Sequence, residues 1–175
     1  MLTEENIIQV ICGDASITST EDFIHRIKQI SEKHGITIQA IDADFLAGRK
    51  HAIFAAEKAI RAFKKGENIA KNLEMETLLY IAGTRQIEKA LQFGIKRGKN
   101  KIALIAINPQ TRKTDVIKEL RELISEDPRA IDYTNSKKEK ITQTFNITHQ
   151  EIEAAGEEKI PDLVLERVAL TDLTK

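Results

Sequence analysis

Three helical patterns follow one another almost without a break between Ala52 and Arg97, and the middle one leaves the chain little choice but to build a core around it. In the first, Ala52, Ala55, Ala56, Ala59, Ile60 and Phe63 recur at i, i+3, i+4 and i+7, which sets them on one stripe of a 3.6-residue helix. Lys58, Arg61, Lys64 and Lys65 occupy the other side, and Gly66 closes the helix as a C-terminal breaker. The second pattern, about Asn68 to Ala82, turns apolar nearly all round at Leu78, Leu79, Tyr80, Ile81 and Ala82. A helix without a polar face is a buried one, so this is the expected central helix. Gly83 breaks it and Thr84 is placed to cap a third helix. The inward stripe of that third helix is Ile87, Ala90, Leu91 and Ile95, with Arg85, Gln86, Lys89 and Lys96 elsewhere on its surface.

The flanking segments supply strands. Asn6 to Cys12 is a short β-rich run that Gly13-Asp14 should turn; Ile36, Ile38 and Ile41 alternate with Thr37 and Gln39; Lys101 to Asn108 is the most strand-like run, stopped by Pro109. Helices are expected from about Thr20 with Phe23, Ile27 and Ile30 inward, and from Thr114 to near Asp127-Pro128 with Val116, Ile117, Leu120, Leu123 and Ile124 inward. Tyr133 to Lys140 reads as a surface connection, Thr148 with Glu151 as a capping box, and Ile160 to Leu173 as a last helix opened by Pro161. Three strands interrupted by a cluster of three helices do not make a simple doubly wound repeat. The expectation is an α+β fold, a small and mainly antiparallel sheet covered by several helices. No internal repeat or long linker divides residues 1–175, so one domain is expected.

Charge adds a second constraint. The chain has 27 basic and 27 acidic side chains, which argues against indiscriminate coating of nucleic acid. The distribution is uneven: residues 49–113 hold fifteen basic and five acidic side chains, and residues 151–175 hold three and seven. The positive third coincides with the three helices above. Acidic neighbours in space would neutralise it, which is the commoner outcome for a solvated surface.

Reactive constellations are absent from the sequence. His25, His34, His51 and His149 are scattered without metal-ligand spacing and read as exposed or capping residues. The lone cysteine, Cys12, has no disulfide partner and reads as a small buried hydrophobe in a reducing compartment. No phosphate-binding glycine loop is present, and carboxylate pairs such as Glu74/Glu76 or Glu157/Glu158 point to different faces. No catalytic residue, cofactor or metal is expected. No apolar run reaches transmembrane length and no signal peptide is evident, so the reading is cytoplasmic, away from membranes.

Thr84-Arg85-Gln86-Ile87 is the most informative local signal. A cation at a helix start opposes the helix dipole unless an anion binds there, and free N–H groups beside an arginine suit a phosphate. Lys58, Arg61, Lys71 and Arg85 are therefore the expected phosphate contacts, with Thr84 at the cap. Asn72 and Gln86 are candidate readers of base edges, and Met75 or Ile87 could pack against a base. In the last helix, Ile160, Leu163, Val164, Val168, Leu170 and Leu173 outnumber what one core stripe needs. Leu163, Val164, Val168 and Leu170 are thus a candidate partner interface.

Taken together, HAIFAAEKAIRAFKKGENIAKN, LEMETLLYIAGTRQIEKALQFGI and the later DLVLERVAL resemble, in collinear order over most of the chain, the small accessory subunit of the KEOPS complex. In animals that family is called the PRPK-binding protein, TPRKB. The resemblance implies a non-catalytic regulatory subunit that docks on the small atypical kinase/ATPase of the complex and binds the single-stranded 3′ end of tRNA. It would meet the catalytic threonylcarbamoyltransferase subunit only indirectly. Two alternatives stay open on the residues alone: a stand-alone transferase-type enzyme, or an interaction module without RNA.

Overall fold

The computed structural model describes residues 7–107 and 114–174. Strand β1 (Ile8–Ile17) leads into helix α1 (Thr20–His34) and strand β2 (Thr37–Asp42). After a 3-10 turn at Ala43–Phe45 come α2 (Arg49–Lys65), α3 (Leu73–Ala82) and the short α4 (Ile87–Leu91). Strand β3 (Gly98–Ile107), α5 (Thr114–Arg121) and the two-residue β4 (Ser125–Glu126) follow, then α6 (Lys138–Thr144), α7 (His149–Ala155) and α8 (Ile160–Leu170).

The strands form one sheet in the order β2-β3-β1-β4 with every pairing antiparallel, as the α+β reading expects. Strand β3 is central and buried on both faces, which is why its sequence is a continuous apolar run instead of an alternating one. Ala103, Ile105 and Ile107 point into the core built by α2, α3 and α8, while Ile102, Leu104 and Ala106 meet Ile27 and Ile30 of α1 and Val116 and Leu120 of α5 on the opposite face. Helix α3 is the central helix: Leu78, Leu79, Tyr80 and Ile81 are all buried. Ala52, Ala55, Ala56 and Ala59 of α2, fully buried, let α2 lie close against it.

Several boundaries differ from expectation. Strand β1 runs straight through Gly13-Asp14; a Cβ at Gly13 would stand 2.1 Å from the Ser125 carbonyl oxygen, so glycine there admits β4 and does not turn the chain. Helix α1 is capped by Ser19, and α3 starts at Leu73, not Asn68, because the Asn72 side chain accepts the Met75 N–H at 2.9 Å. Helix α5 stops at Arg121 and leaves Ser125–Glu126 to pair with β1. Asn6, Asn108 and Pro109, the expected strand limits, lie outside the described residues. Thr148 and Glu151 do form the capping box.

Three buried polar side chains were not legible from the sequence. The Glu76 carboxylate accepts the Ile69 and Ala70 N–H groups at 3.0 and 2.7 Å, fastening the loop before α3. Lys137, expected on the surface, is buried and its Nζ donates to the carbonyls of Ala43 and Ala130 at 2.9 and 3.0 Å. His51, expected exposed or capping, is 1% exposed; its Nδ1 accepts the Ala47 N–H at 3.1 Å and its Nε2 donates to the Ile81 carbonyl at 2.9 Å.

Burial lowers the His51 imidazole from 6.5 to about 4, against the opposing effect of the Ile81 hydrogen bond. The unfolded chain therefore takes up this proton before the folded chain does. The stability that the neutral ring confers is whole above pH 6.5 and is lost as the pH falls towards about 4, with a full span of about 3 kcal/mol. Urea denaturation at a series of pH values should show this decline in the native protein. His51→Gln should be less stable at neutral pH and should lack most of the slope in that window.

Candidate nucleic-acid interface and partner face

Helix α2 presents Lys58 on the flank beside its alanine stripe, α3 presents Tyr80, and the 3-10 turn Thr171–Leu173 after α8 presents Asp172. These three groups meet. Lys58 Nζ donates to Asp172 Oδ2 at 2.5 Å, and the Tyr80 hydroxyl donates to Asp172 Oδ1 at 2.5 Å. The Lys58 ammonium also stands 5.8 Å from the centroid of the Phe54 ring. Burial pushes the Asp172 carboxyl up, but the Lys58 and Tyr80 hydrogen bonds and the nearby Lys58 and Arg85 charges outweigh it and hold the group below its usual range. Burial, followed by the hydrogen bond to Asp172, pushes the Tyr80 phenol up. The phenol therefore keeps its proton and serves as a donor.

Arg85 follows the tight cap that ends α3. Gly83 takes φ 62°, in the left-handed region, and lies 3.6 Å from the Arg167 carbonyl of α8, counted from where a side chain would begin. The Thr84 N–H then donates to the Leu79 carbonyl at 3.1 Å, and the turn delivers Arg85 half-buried within the field of Tyr80 and Asp172. Arg85 makes no hydrogen bond or ion pair among the described residues.

The expected geometry of Thr84 changes. Its hydroxyl accepts the Gln86 N–H at 3.1 Å, the helix cap falls on Gln86, and α4 has five residues. Gln86 is exposed with no side-chain hydrogen bond among the described residues. Ile87 and Leu91, expected inward, are 43% and 55% exposed, because so short a helix seats only Ala90 in the core.

The structure divides the expected RNA-contacting residues into two groups. Lys58, Thr84, Arg85 and Gln86 gather at the C-terminal end of α3, with Arg61 on the exposed side of α2. Lys71 and Asn72 are exposed at the N-terminal end, about 15 Å away along the ten residues of α3. Asn72 and Met75 there line a groove of about 500 Å³ together with Ile24, Gln39, Leu91 and Ile95. The Asn72 carboxamide oxygen is already taken by the helix cap, which leaves only its NH₂ group to read a base.

Sequence reasoning missed Tyr80 and Asp172. Tyr80 carried a faint signal, since a tyrosine in an apolar stripe needs a partner for its hydroxyl when buried. Asp172 carried none, lying among the acidic residues of the last segment.

The proposed partner face narrows in the same way. Val164 and Val168 are fully buried in the core and Leu163 packs half-buried against it, so α8 uses two sides for folding. The exposed apolar surface of this end of the chain is Leu170, 42% exposed, and Leu173, 76% exposed.

Among the described residues no group of three His, Cys, Asp or Glu side chains could hold a metal ion, and no helix is long and apolar enough to cross a membrane. Cys12 is buried, with its thiol against the Asp127 carbonyl and pushed up by burial. A cleft of about 770 Å³ is lined by Asp14, Asp44, Lys99, Lys101 and Lys140 among others, and by no histidine or cysteine.

The model of the family described as kinase binding protein CGI-121 matches residues 15–172. The chain is 30% identical over 144 residues to the "Regulatory protein Cgi121" of Methanocaldococcus jannaschii, covering 81% of this chain and 87% of that relative. It is 38% identical over 60 residues to the "KEOPS complex subunit Cgi121" of Pyrococcus abyssi, covering 34% of this chain and 35% of the relative.

The burial difference along α8 is measurable. Val164→Ala should cost about 2 kcal/mol in denaturant unfolding. Leu170→Glu and Leu173→Glu should each stay within about 0.5 kcal/mol of the native protein, as exposed substitutions do.

Proposed function

The chain belongs to the CGI-121 family of kinase binding proteins, and from that premise we propose that it is a non-catalytic accessory subunit of a KEOPS complex, which makes threonylcarbamoyl-adenosine in tRNA. In this reading it docks on the atypical kinase/ATPase subunit and binds the single-stranded 3′ end of tRNA. It touches the catalytic transferase subunit only through the kinase. The observation that carries the reading is that Lys58 and Tyr80, from separate elements, hold one carboxylate on which the Arg85 charge also acts, beside the exposed Leu170 and Leu173. Donors that hold an oxyanion and an exposed apolar surface thus adjoin.

The groove by Asn72 and Met75 gives unstacked bases an apolar wall at the far end of α3. Phosphates held near Arg85 and bases near Met75 would make a strand follow the length of that helix.

Gel-shift with a tRNA, intact or lacking its 3′ terminal nucleotides, tests the RNA reading: the intact molecule should bind and the truncated one should not. Arg85→Glu should weaken binding with a normal circular dichroism spectrum. It should lower the log-log salt slope by about 0.7, the share of one phosphate contact on a single strand. Leu170→Glu and Leu173→Glu should reduce co-purification with the kinase subunit. Kinase binding without any tRNA binding would reduce the chain to an interaction module, and turnover by the purified chain that a point mutation abolishes would make it an enzyme.

A further inference from the structure

Asp172 has the position and partners of a bound anion. Its two carboxylate oxygens are each held at 2.5 Å by a different donor, an ammonium from α2 and a phenol from α3. The Arg85 charge acts on the same carboxylate without a hydrogen bond to it, and Arg85 has no ion pair among the described residues. Two bound donors and a nearby guanidinium charge match the needs of a phosphodiester, whose two non-bridging oxygens share one negative charge and accept from Lys, Tyr and Arg alike.

The carboxylate is also detachable. It sits on the 3-10 turn that follows α8, flanked by exposed Leu173 and anchored on one side by buried Thr171, whose hydroxyl donates to the Arg167 carbonyl at 3.1 Å. The side chain of Asp172 is 39% exposed, against 17% for Lys58. A change of the Asp172 rotamer would uncover the two donors without unfolding the turn that carries it.

We propose that Lys58, Tyr80 and Arg85 form a phosphate-binding subsite for RNA, and that Asp172 fills this subsite as an internal stand-in until RNA displaces it. The proposal rests on the RNA-binding reading above and adds to it a donor, Tyr80, and a competitor, Asp172. It also gives the adjacent apolar surface a consequence: a partner seated on Leu170 and Leu173 bears directly on the turn that holds Asp172.

The test uses the whole protein and a tRNA with its single-stranded 3′ end, with affinity measured across a salt series. Asp172→Asn keeps an acceptor for Tyr80 and removes the competing charge. It should tighten tRNA binding about tenfold and steepen the salt slope by about 0.7, one further phosphate contact. Adding Lys58→Met to Asp172→Asn should erase the gain. Asp162→Asn, which removes the same charge from the first turn of α8, should change nothing.

A gain that survives Lys58→Met, or that Asp162→Asn reproduces, would mean bulk electrostatics and overturn the subsite. No gain from Asp172→Asn while Arg85→Glu still weakens binding would overturn the competition and leave the RNA reading standing. No response to either change would bring down both. If Asp172→Asn lowers the thermal midpoint, Asp172→Ser is read by the same criteria.

Discussion

Helix α3 is buried from Glu76 to Ile81, and the rest of the structure answers to that. These six residues are covered on every flank. The cover is assembled from pieces distant in sequence: the alanine face of α2, strand β2 and helix α8. The alanines matter because a helix packs as closely as its side chains allow. Larger residues at Ala52, Ala55, Ala56 or Ala59, all fully buried, would push α2 off α3. Enclosure creates a second demand, since a helix ends with carbonyls that have no partner within it. The Ile81 carbonyl is one of these, and His51 reaches it from α2 while accepting the Ala47 N–H with its other nitrogen. Glu76 does the corresponding work for the loop before α3, and Lys137 for the carbonyls of the 3-10 turn after β2. His51 and Glu76 thus complete backbone that the buried helix and the loop before it leave unpaired, and Lys137 gives the Ala43 carbonyl a second donor beside the Leu46 N–H.

The same constraint places the candidate site. Because α2 and α8 must both press on α3, the flank of α2 that carries Lys58 is brought beside the end of α8. The only polar atom of the α3 apolar run, the Tyr80 hydroxyl, emerges at their junction to find Asp172. The glycine that ends α3 passes close to the α8 backbone at Arg167, and the chain runs on from there to Arg85, whose charge acts on Asp172. Arg167 itself is occupied elsewhere, bridging Glu151 at 2.8 Å and the Phe145 carbonyl at 3.1 Å, and so pins α8 to the start of α7.

What could be read from the sequence was periodicity, and what could not was pairing at a distance. The stripe of α2, the all-apolar run of α3, the capping box at Thr148 and the strand character of β3 each follow from the pattern within one segment. Ile87 and Leu91 had the right spacing for a buried stripe, but the turn after Gly83 leaves α4 too short to seat them. Val164 and Val168 looked surplus because a single helix needs one stripe; α8 lies in a corner and needs two. His51 gave no sign of burial, since its partners at Ala47 and Ile81 are backbone groups and leave no mark in composition. Asp172 was hidden for the same reason: its partners lie 92 and 114 residues away.

The uneven charge of the chain is resolved by these contacts. The excess of acid in residues 151–175 and the excess of base in residues 49–113 are separate in sequence, yet α8 packs on α2 and α3, so the two meet in space. The bland reading, a basic surface balanced by acidic neighbours, is therefore correct at Lys58. It does not exclude an anion site there. An ion pair this near the surface is worth about 0 to 1 kcal/mol, because the carboxylate exchanges water for protein donors at almost no net gain. A polyanion brings its charge with a release of counterions that a side-chain carboxylate cannot match. A weak internal pair in front of a strong external ligand keeps the donors ordered in the free protein without closing them to that ligand.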